Sequence, residues 1–302
     1  MLEEEQIQMI LKSVGIIVLG VIILFILVWT GLMKCGTVPF LCDGYEAIMG
    51  APRVLIVYGD EGLGDPQALK LLMQDPATLG VNAVDLANVD QVSLGNLKSY
   101  KLVIVEHARK MSIDQLKMFT SYVNQYGGRL VWIGDAGTVK GDDELTDFTD
   151  INALAKVADN PWVRVKETDT DYIVENFDEF LGLRFKGNYC DISRCNDGNF
   201  TVGNFKTEST GNHPLIFGAA PIFPIKINKE RQISVVQQFA NAANSNVVVT
   251  LEQSSLGKSA PVVVTSGMGE RIAYYAYPLE YMALDNASFV YLKRMYLGML
   301  GK

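Results

Sequence analysis

The sequence is short of positive charge and of histidine. It has 26 Lys and Arg residues against 34 Asp and Glu residues, a net charge of −8, and only two His among its 302 residues. A nucleic-acid surface needs clustered basic side chains that displace counterions, and electrostatic attachment to anionic lipid needs a polybasic segment. The sequence therefore argues against a nucleic-acid partner and against attachment to a membrane surface by charge.

Cysteine is also scarce, and the four cysteines form two close pairs, Cys35 with Cys42 and Cys190 with Cys195. Both pairs lie in loop-like sequence rich in small and polar residues. Local pairs of this kind are typical of disulfides in an oxidising compartment. The usual Cys-x-x-Cys spacing is missing, which makes a four-cysteine zinc site the weaker alternative, and free thiols are a third. We predict two disulfides and a large domain outside the cytoplasm.

Charge is absent from residues 13–33, which are bracketed by Lys12 and Lys34. About 21 helical residues at about 1.5 Å each span about 30 Å, the thickness of the hydrocarbon core of a bilayer. A cleaved signal peptide would have a shorter apolar region that ends in small residues, and Lys34 directly before Cys35 is unsuitable for a lipoprotein site. We therefore predict a retained, single-pass transmembrane helix.

The predicted anchor divides the chain into a short tail, a membrane span, a stalk and one large extracytoplasmic domain. In such a domain Asn199 and Asn286, which begin Asn-x-Ser/Thr triplets, are candidate glycosylation sites. The expected segments are 1–12 for the tail, 13–33 for the helix, 34–52 for the stalk and 53–302 for the domain, with a β-rich insertion at about 185–245.

Apolar runs alternate with amphipathic segments in the first half of the large domain. This alternation predicts parallel strands joined by right-handed crossovers, with helices on both faces of a flavodoxin-like α/β sheet. The predicted strands are 53–58, 81–86, 101–106 and 129–133, and the predicted helices are 66–74 and 112–126. The second half predicts further strands that extend the sheet, partly antiparallel, at 222–227, 233–239, 247–251, 261–265 and 271–276, and a last helix at 287–300.

Three segments resemble class I glutamine amidotransferase-like domains: Tyr126–Thr138 (YGGRLVWIGDAGT), Asn212–Gly218 (NHPLIFG) and Gly269–Pro278 (GERIAYYAYP). The sequence is most similar to the membrane-anchored, non-catalytic members that are attached to cell-surface and transporter-auxiliary proteins. The resemblance is clearest over residues 53–157. It implies a mainly parallel sheet flanked by helices.

Active members of that family carry a nucleophilic Cys on a sharp turn after a strand, paired with a downstream His. In this sequence Asp135 stands where that Cys would be, and the two histidines are His107 and His213. The resemblance therefore implies the fold without the activity. We expect a non-enzymatic binding or assembly subunit of a larger cell-surface or membrane complex, whose partners are the lipid bilayer and other membrane or cell-surface proteins.

Acidic side chains end several of the predicted strands, where open α/β sheets form their ligand crevice. Asp60, Glu106 and Asp135, with His107 beside them, are thus a candidate ligand or cation site. They are also candidate acid and base residues of a divergent hydrolase, or part of a glycan sensor. The plainer alternative is that Asp ends strands because it caps turns. Gly59–Asp65 has the spacing G-x-x-G-x-G, which is not a nucleotide-binding motif, and we expect no cofactor.

Overall fold

The structure is a computed structural model, and it describes residues 4–29, 53–142, 144, 160–169, 171–193, 195, 201–208, 212–239, 245–252, 259–283 and 289–301. Contacts divide the chain into two compact units. One comprises Met1–Ala51 with Gly301–Lys302, and the other comprises Pro52–Leu300.

The first unit contains helix α1, Glu4–Trp29. The helix begins earlier in the chain than the predicted start at residue 13. Its described apolar side chains are largely exposed, for example Ile16 at 72% and Ile17 at 65%. Among the residues that the structure describes, no helix has the length and apolar character of a membrane span. The predicted stalk, residues 34–52, lies outside the described residues.

The second unit is built on a sheet in which nine strands of the described chain take part. These strands are β1 (Arg53–Tyr58), β2 (Ala83–Asn88), β3 (Leu102–Val105), β5 (Arg129–Ile133), β10 (Thr201–Thr207), β11 (Ile222–Ile227), β13 (Ser245–Glu252), β14 (Ala260–Ser266) and β15 (Ile272–Tyr275). Three two-stranded pairs lie outside it: β4 (Lys110–Met111) with β6 (Val139–Lys140), β7 (Val163–Glu167) with β8 (Tyr172–Asn176), and β9 (Leu183–Asn188) with β12 (Ser234–Gln238).

Helices connect and flank these strands. They are α2 (Pro66–Gln74), α3 (Leu94–Leu97), α4 (Ile113–Asn124), α5 (Phe177–Leu181), α6 (Tyr189–Ile192), α7 (Leu279–Ala283) and α8 (Phe289–Leu300), and a 3₁₀ turn covers Val89–Gln91.

The strand order of the large sheet is β11-β10-β13-β14-β15-β5-β3-β1-β2. The five strands from β15 to β2 run parallel, and β14, β13, β10 and β11 continue the sheet in antiparallel pairs. The α/β class and an antiparallel extension in the second half are therefore confirmed. The strand predicted at 233–239 is observed as β12, but the prediction that it extends the large sheet is wrong, because it pairs with β9. Within the predicted insertion at about 185–245, strands β10 and β11 belong to the sheet itself, and β9 and β12 form a pair beside it.

Local sequence signals account for the helix starts. The Asp65 carboxylate accepts from the backbone N–H groups of Gln67 and Ala68, and Pro66 fills the first helical position of α2, where its missing N–H costs nothing. Ser112 and Gln115 form a reciprocal capping box at the start of α4.

The strand predicted at 81–86 begins later, at Ala83. The reason is that the N–H of Val81 donates to the carbonyl of Met73 at 2.8 Å, in the turn that follows α2. Val81 is therefore held in that turn and does not pair with β1.

One of the two predicted disulfides is observed. Cys190 and Cys195 are bonded, with their Cα atoms 5.1 Å apart. Cys35, Cys42, Asn199 and Asn286 lie outside the described residues, so the second disulfide and the two glycosylation sites stay predictions.

The turn after β5 is packed against aromatic side chains and a buried ion pair. The indole N–H groups of Trp132 and Trp162 both donate to the carbonyl of Ala136, each at 2.9 Å. Arg164, which is fully buried, donates to the Gly137 carbonyl and pairs with Glu144 at 3.0 Å. These contacts fix the backbone that follows β5.

Replacing Glu144 with Ala should lower the free energy of unfolding by about 3–5 kcal/mol, because the buried Arg164 guanidinium loses its counter-charge. The matched control is Asp142→Ala, which removes an exposed pair with Lys110 and should leave the urea midpoint almost unchanged. Urea unfolding of both variants measures the difference. Equal midpoints for the two variants would contradict a structural role for the buried pair.

Candidate functional site

Asp135 lies in the turn directly after β5 and is almost completely buried. Its Oδ1 accepts the N–H of Leu63 at 2.8 Å, and its Oδ2 accepts the side-chain amide of Asn188 at 3.0 Å. The Nε of Arg109 lies 3.5 Å from the same Oδ2. Both carboxylate oxygens are thus engaged by donors from three other segments. Asp135 therefore holds these segments together. Its carboxylate oxygens are engaged by protein groups and are not free to act as a nucleophile.

Residues 59–65 form a loop after β1, which we call the glycine loop, and it covers the end of β3. The N–H of Gly59 donates to the carbonyl of His107 at 2.9 Å, and the N–H of His107 donates to the carbonyl of Leu63 at 2.8 Å. Gly64 has a φ of +114°, and a Cβ at this position would lie 2.8 Å from Oε2 of Glu106. Glycine is required there by both the backbone conformation and the close approach.

Glu106, the residue after β3, is completely buried beneath this loop. Neither of its carboxyl oxygens has a hydrogen-bond partner in the described part of the chain. Burial of an ionised carboxylate without donors is strongly disfavoured, and this favours the protonated form of the group.

Glu280, on α7, approaches the glycine loop from the opposite side. Its Oε1 accepts the N–H of Asp65 at 2.8 Å, while its Oε2 is buried without a described partner. The neighbouring Tyr281 hydroxyl accepts the N–H of Gly64 at 3.1 Å. The glycine loop is therefore held by Asp135 on one side and by α7 on the other.

Burial governs the ionisation of this pair. Desolvation raises the pKa of Glu106 well above its ordinary value, and the negative charges of Glu280 and Asp65 raise it further. Desolvation also raises the pKa of Glu280 to about 7. Both carboxyl groups therefore keep their protons to a higher pH than an exposed glutamate does, and Glu280 is close to its titration point at neutral pH.

A cavity of about 820 Å³ opens beside the pair. Its walls come from the glycine loop, helix α2, the segment around Arg231, and α7. His107 lines it with a φ of 48°, a left-handed conformation that is uncommon outside glycine, and its Nδ1 is buried without a described partner. Unusual backbone conformations of this kind are concentrated at ligand sites.

The predicted site residues are therefore only partly brought together. Asp60 is exposed on the glycine loop, Asp135 is bonded to Leu63, Asn188 and Arg109, and Glu106 lies near Glu280. Across the described ranges, no three His, Cys, Asp or Glu side chains are grouped to hold a metal ion. The ligand-binding role of the four predicted residues stays a prediction. Of these four, Glu106 and His107 lie at or next to the cavity, together with Glu280, which was not predicted.

The second histidine lies elsewhere. His213 Nε2 is 2.9 Å from Oε2 of Glu270, and its Nδ1 accepts the N–H of Leu215 at 3.2 Å. This histidine therefore stabilises a turn and a side-chain pair that include none of the cavity-lining residues.

Sequence reasoning missed Glu280. A signal was present, because Tyr275-Ala-Tyr-Pro-Leu-Glu280 is a strand followed by Pro and an acidic residue. The pairing of β15 with β5 brings this segment to the same sheet edge as Asp135, and that neighbour relation is not contained in the local sequence.

Comparison with known proteins identifies the fold only. No family model and no curated protein matches the sequence. A ThuA-like protein from Bacteroides uniformis aligns with a TM-score of 0.50 and 14% identity over 82% of this chain and 92% of that one. A GMP synthase protein from Thermoplasma acidophilum aligns at 0.47 and 8% identity, covering 83% and 93% of the two chains. The glutaminase domain of Trypanosoma brucei CTPS aligns at 0.38 and 9%, covering 82% and 94%. The alignment with the ThuA-like protein shows a shared α/β fold and, at 14% identity, nothing further.

Glu280→Gln should change how stability depends on pH. The folded-state pKa of Glu280 is raised to about 7, so the stability associated with its neutral form is complete below about pH 4.5 and is lost as the pH rises through about 7. Glutamine keeps an acceptor for the Asp65 N–H and does not ionise, so the variant should lose less stability between pH 4.5 and 8, by up to roughly 3 kcal/mol. Urea unfolding of the full chain across this range measures it.

The control is Glu270→Gln, because the pKa of Glu270 is lowered, opposite to that of Glu280. Its hydrogen bond to His213 lowers the pKa of Glu270 to about 2, so its contribution is lost only as the pH falls below about 4.5 towards 2. This variant should follow the wild-type profile above pH 5. A Glu280→Gln profile parallel to wild type would contradict the raised pKa.

Proposed function

We propose that the chain is a non-enzymatic binding subunit of a larger membrane or cell-surface complex. In this proposal one N-terminal helix anchors it in the bilayer, and its amidotransferase-like domain lies on the extracytoplasmic side. It is a pseudoenzyme of the membrane-anchored type, with other membrane proteins as partners.

The engagement of Asp135 is the observation that carries this proposal. Catalysis of the amidotransferase type needs an exposed thiol on the turn after the strand, next to backbone N–H donors that stabilise the oxyanion. Here the turn carries a carboxylate, and the Leu63 N–H, the Asn188 amide and Arg109 occupy its oxygens. The carboxylate at the position of the nucleophile therefore connects segments of the fold and is not free to react.

The sequence of residues 13–33 supports the anchor. The charge-free segment continues beyond Trp29, the last residue of α1, so the described helix contains only part of it. Its apolar side chains are exposed, and an exposed surface of this kind is covered by lipid or by another protein. The Cys190–Cys195 disulfide supports an oxidising compartment for the domain.

Leu19→Arg should release the chain from membranes. A positive charge near the middle of a spanning helix costs about 2.5–3.5 kcal/mol of insertion free energy. Gln8→Arg, outside the charge-free segment, is the matched control and should leave the chain membrane-bound. Alkaline extraction of membranes, followed by detection of the chain in pellet and supernatant, is the measurement. Release of the wild-type chain by alkali would disprove the anchor.

A divergent hydrolase is the second candidate, and the pKa of about 7 for Glu280, next to Glu106 with its own raised pKa, favours it. The two candidates differ in the behaviour of Glu106→Gln and Glu280→Gln. Under the binding proposal, stoichiometric transmembrane partners co-purify with both variants from gently solubilised membranes, and amide, ester and glycoside substrates are not turned over. Turnover by the wild-type chain that disappears in both variants would establish the hydrolase instead.

A further inference from the structure

We infer that the cavity beside Glu280 binds a small organic cation, a primary amine with an apolar stem. This inference deepens the proposed binding role and rests on it. The supporting features are a surplus of buried acceptors, a negatively charged rim and an apolar wall along α2.

The buried end of the site has polar side-chain atoms without described partners, and the Glu280 oxygen among them can only accept when the carboxylate is ionised. Oε2 of Glu280 and Nδ1 of His107 have no hydrogen-bond partner among the described residues, and both residues line the cavity. Glu280 itself is only 4% exposed. Glu106 lies next to it, and neither of its carboxyl oxygens has a described partner, so the oxygen that carries no proton is a further acceptor. An ammonium group carries three donors and no acceptor, and it therefore matches this deficit.

The charge of the cavity favours a cation. Asp65, Asp75, Glu230 and Glu280 line it, against one arginine, Arg231. A cleft lined mainly by one sign of charge attracts ligands of the opposite sign and repels those of its own. An anionic ligand is therefore disfavoured, and so is a nucleotide.

An organic cation fits better than a metal ion. In the described ranges no three ligating side chains are grouped as a metal site. One wall of the cavity is apolar and is formed by Leu71 and Leu72 of α2, together with the ring of Tyr281. Such a wall accommodates a hydrocarbon stem, and the face of a tyrosine ring attracts a cation. Arg231 already lies over this ring at 5.8 Å.

Calorimetric titration of the full-length chain in detergent with hexylamine tests the inference. Hexanol and hexanoate, with the same stem, are the neutral and anionic probes, and Mg²⁺ is the metal probe. Hexylamine should bind at least about 10-fold more tightly than hexanol, and hexanoate should not bind, because charged hydrogen bonds to a buried carboxylate distinguish the three.

Two variants locate the binding. Glu280→Gln should weaken hexylamine about 10-fold to 100-fold while keeping the acceptor for the Asp65 N–H. Leu71→Ser, on a 69% exposed side chain, should weaken it several-fold without disturbing the core. Glu175→Gln, on β8 and bonded to Thr120 of α4, is the control and should bind as wild type does.

Equal affinity for hexylamine and hexanol would overturn the inference, as would wild-type affinity for hexylamine in Glu280→Gln. Displacement of bound hexylamine by Mg²⁺ would also overturn it, because the site would then be a metal site. The proposed function is tested separately by membrane retention and partner recovery. Loss of amine binding with retained partners would reject this ligand and keep the proposed binding role.

Discussion

The contacts of the Asp135 carboxylate hold together the segments at this edge of the sheet. The carboxylate accepts hydrogen bonds from Leu63 of the glycine loop and Asn188 of strand β9, and it forms an ion pair with Arg109 in the segment after β3. The aromatic side chains and the Arg164–Glu144 pair in turn fix the backbone on which Asp135 sits. The turn after β5 thus carries a buried carboxylate whose donors come from distant segments. Such an anion is stable only while those donors are in place.

The position of the glycine loop has an electrostatic consequence. With Leu63 held by Asp135 and Gly64 held by Tyr281, the loop lies against the carboxyl group of Glu106 and excludes water from it. Exclusion of water raises the pKa of Glu106 and of Glu280. Both oxygens of Glu106 and Oε2 of Glu280 lack described donors. Such buried groups are costly to the fold, and structures keep them mainly at functional sites.

Local features of the fold were predictable from the sequence, and long-range ones were not. The apolar runs of the parallel strands and the helices predicted at 66–74 and 112–126 depend on neighbouring residues, and they were assigned close to their observed bounds. The sequence marked Asp135 as a candidate site residue but could not give its hydrogen-bond partners, because Leu63 and Asn188 are 72 and 53 residues away. Glu280 meets the Asp65 N–H across 215 residues, so no sequence window contains both.

The titration of glutamate carboxyl groups, followed by carbon-13 NMR of the full chain and of Asp135→Ala, tests the central claim most directly. In the wild-type chain the carboxyl groups of Glu106 and Glu280 should both titrate well above the ordinary range of glutamate, that of Glu280 at about 7. Both should shift towards the ordinary acidic range in a folded Asp135→Ala variant, because the loosened loop admits water. Titration of every glutamate in the acidic range in the wild-type chain, or an unchanged pair in the variant, would contradict the account.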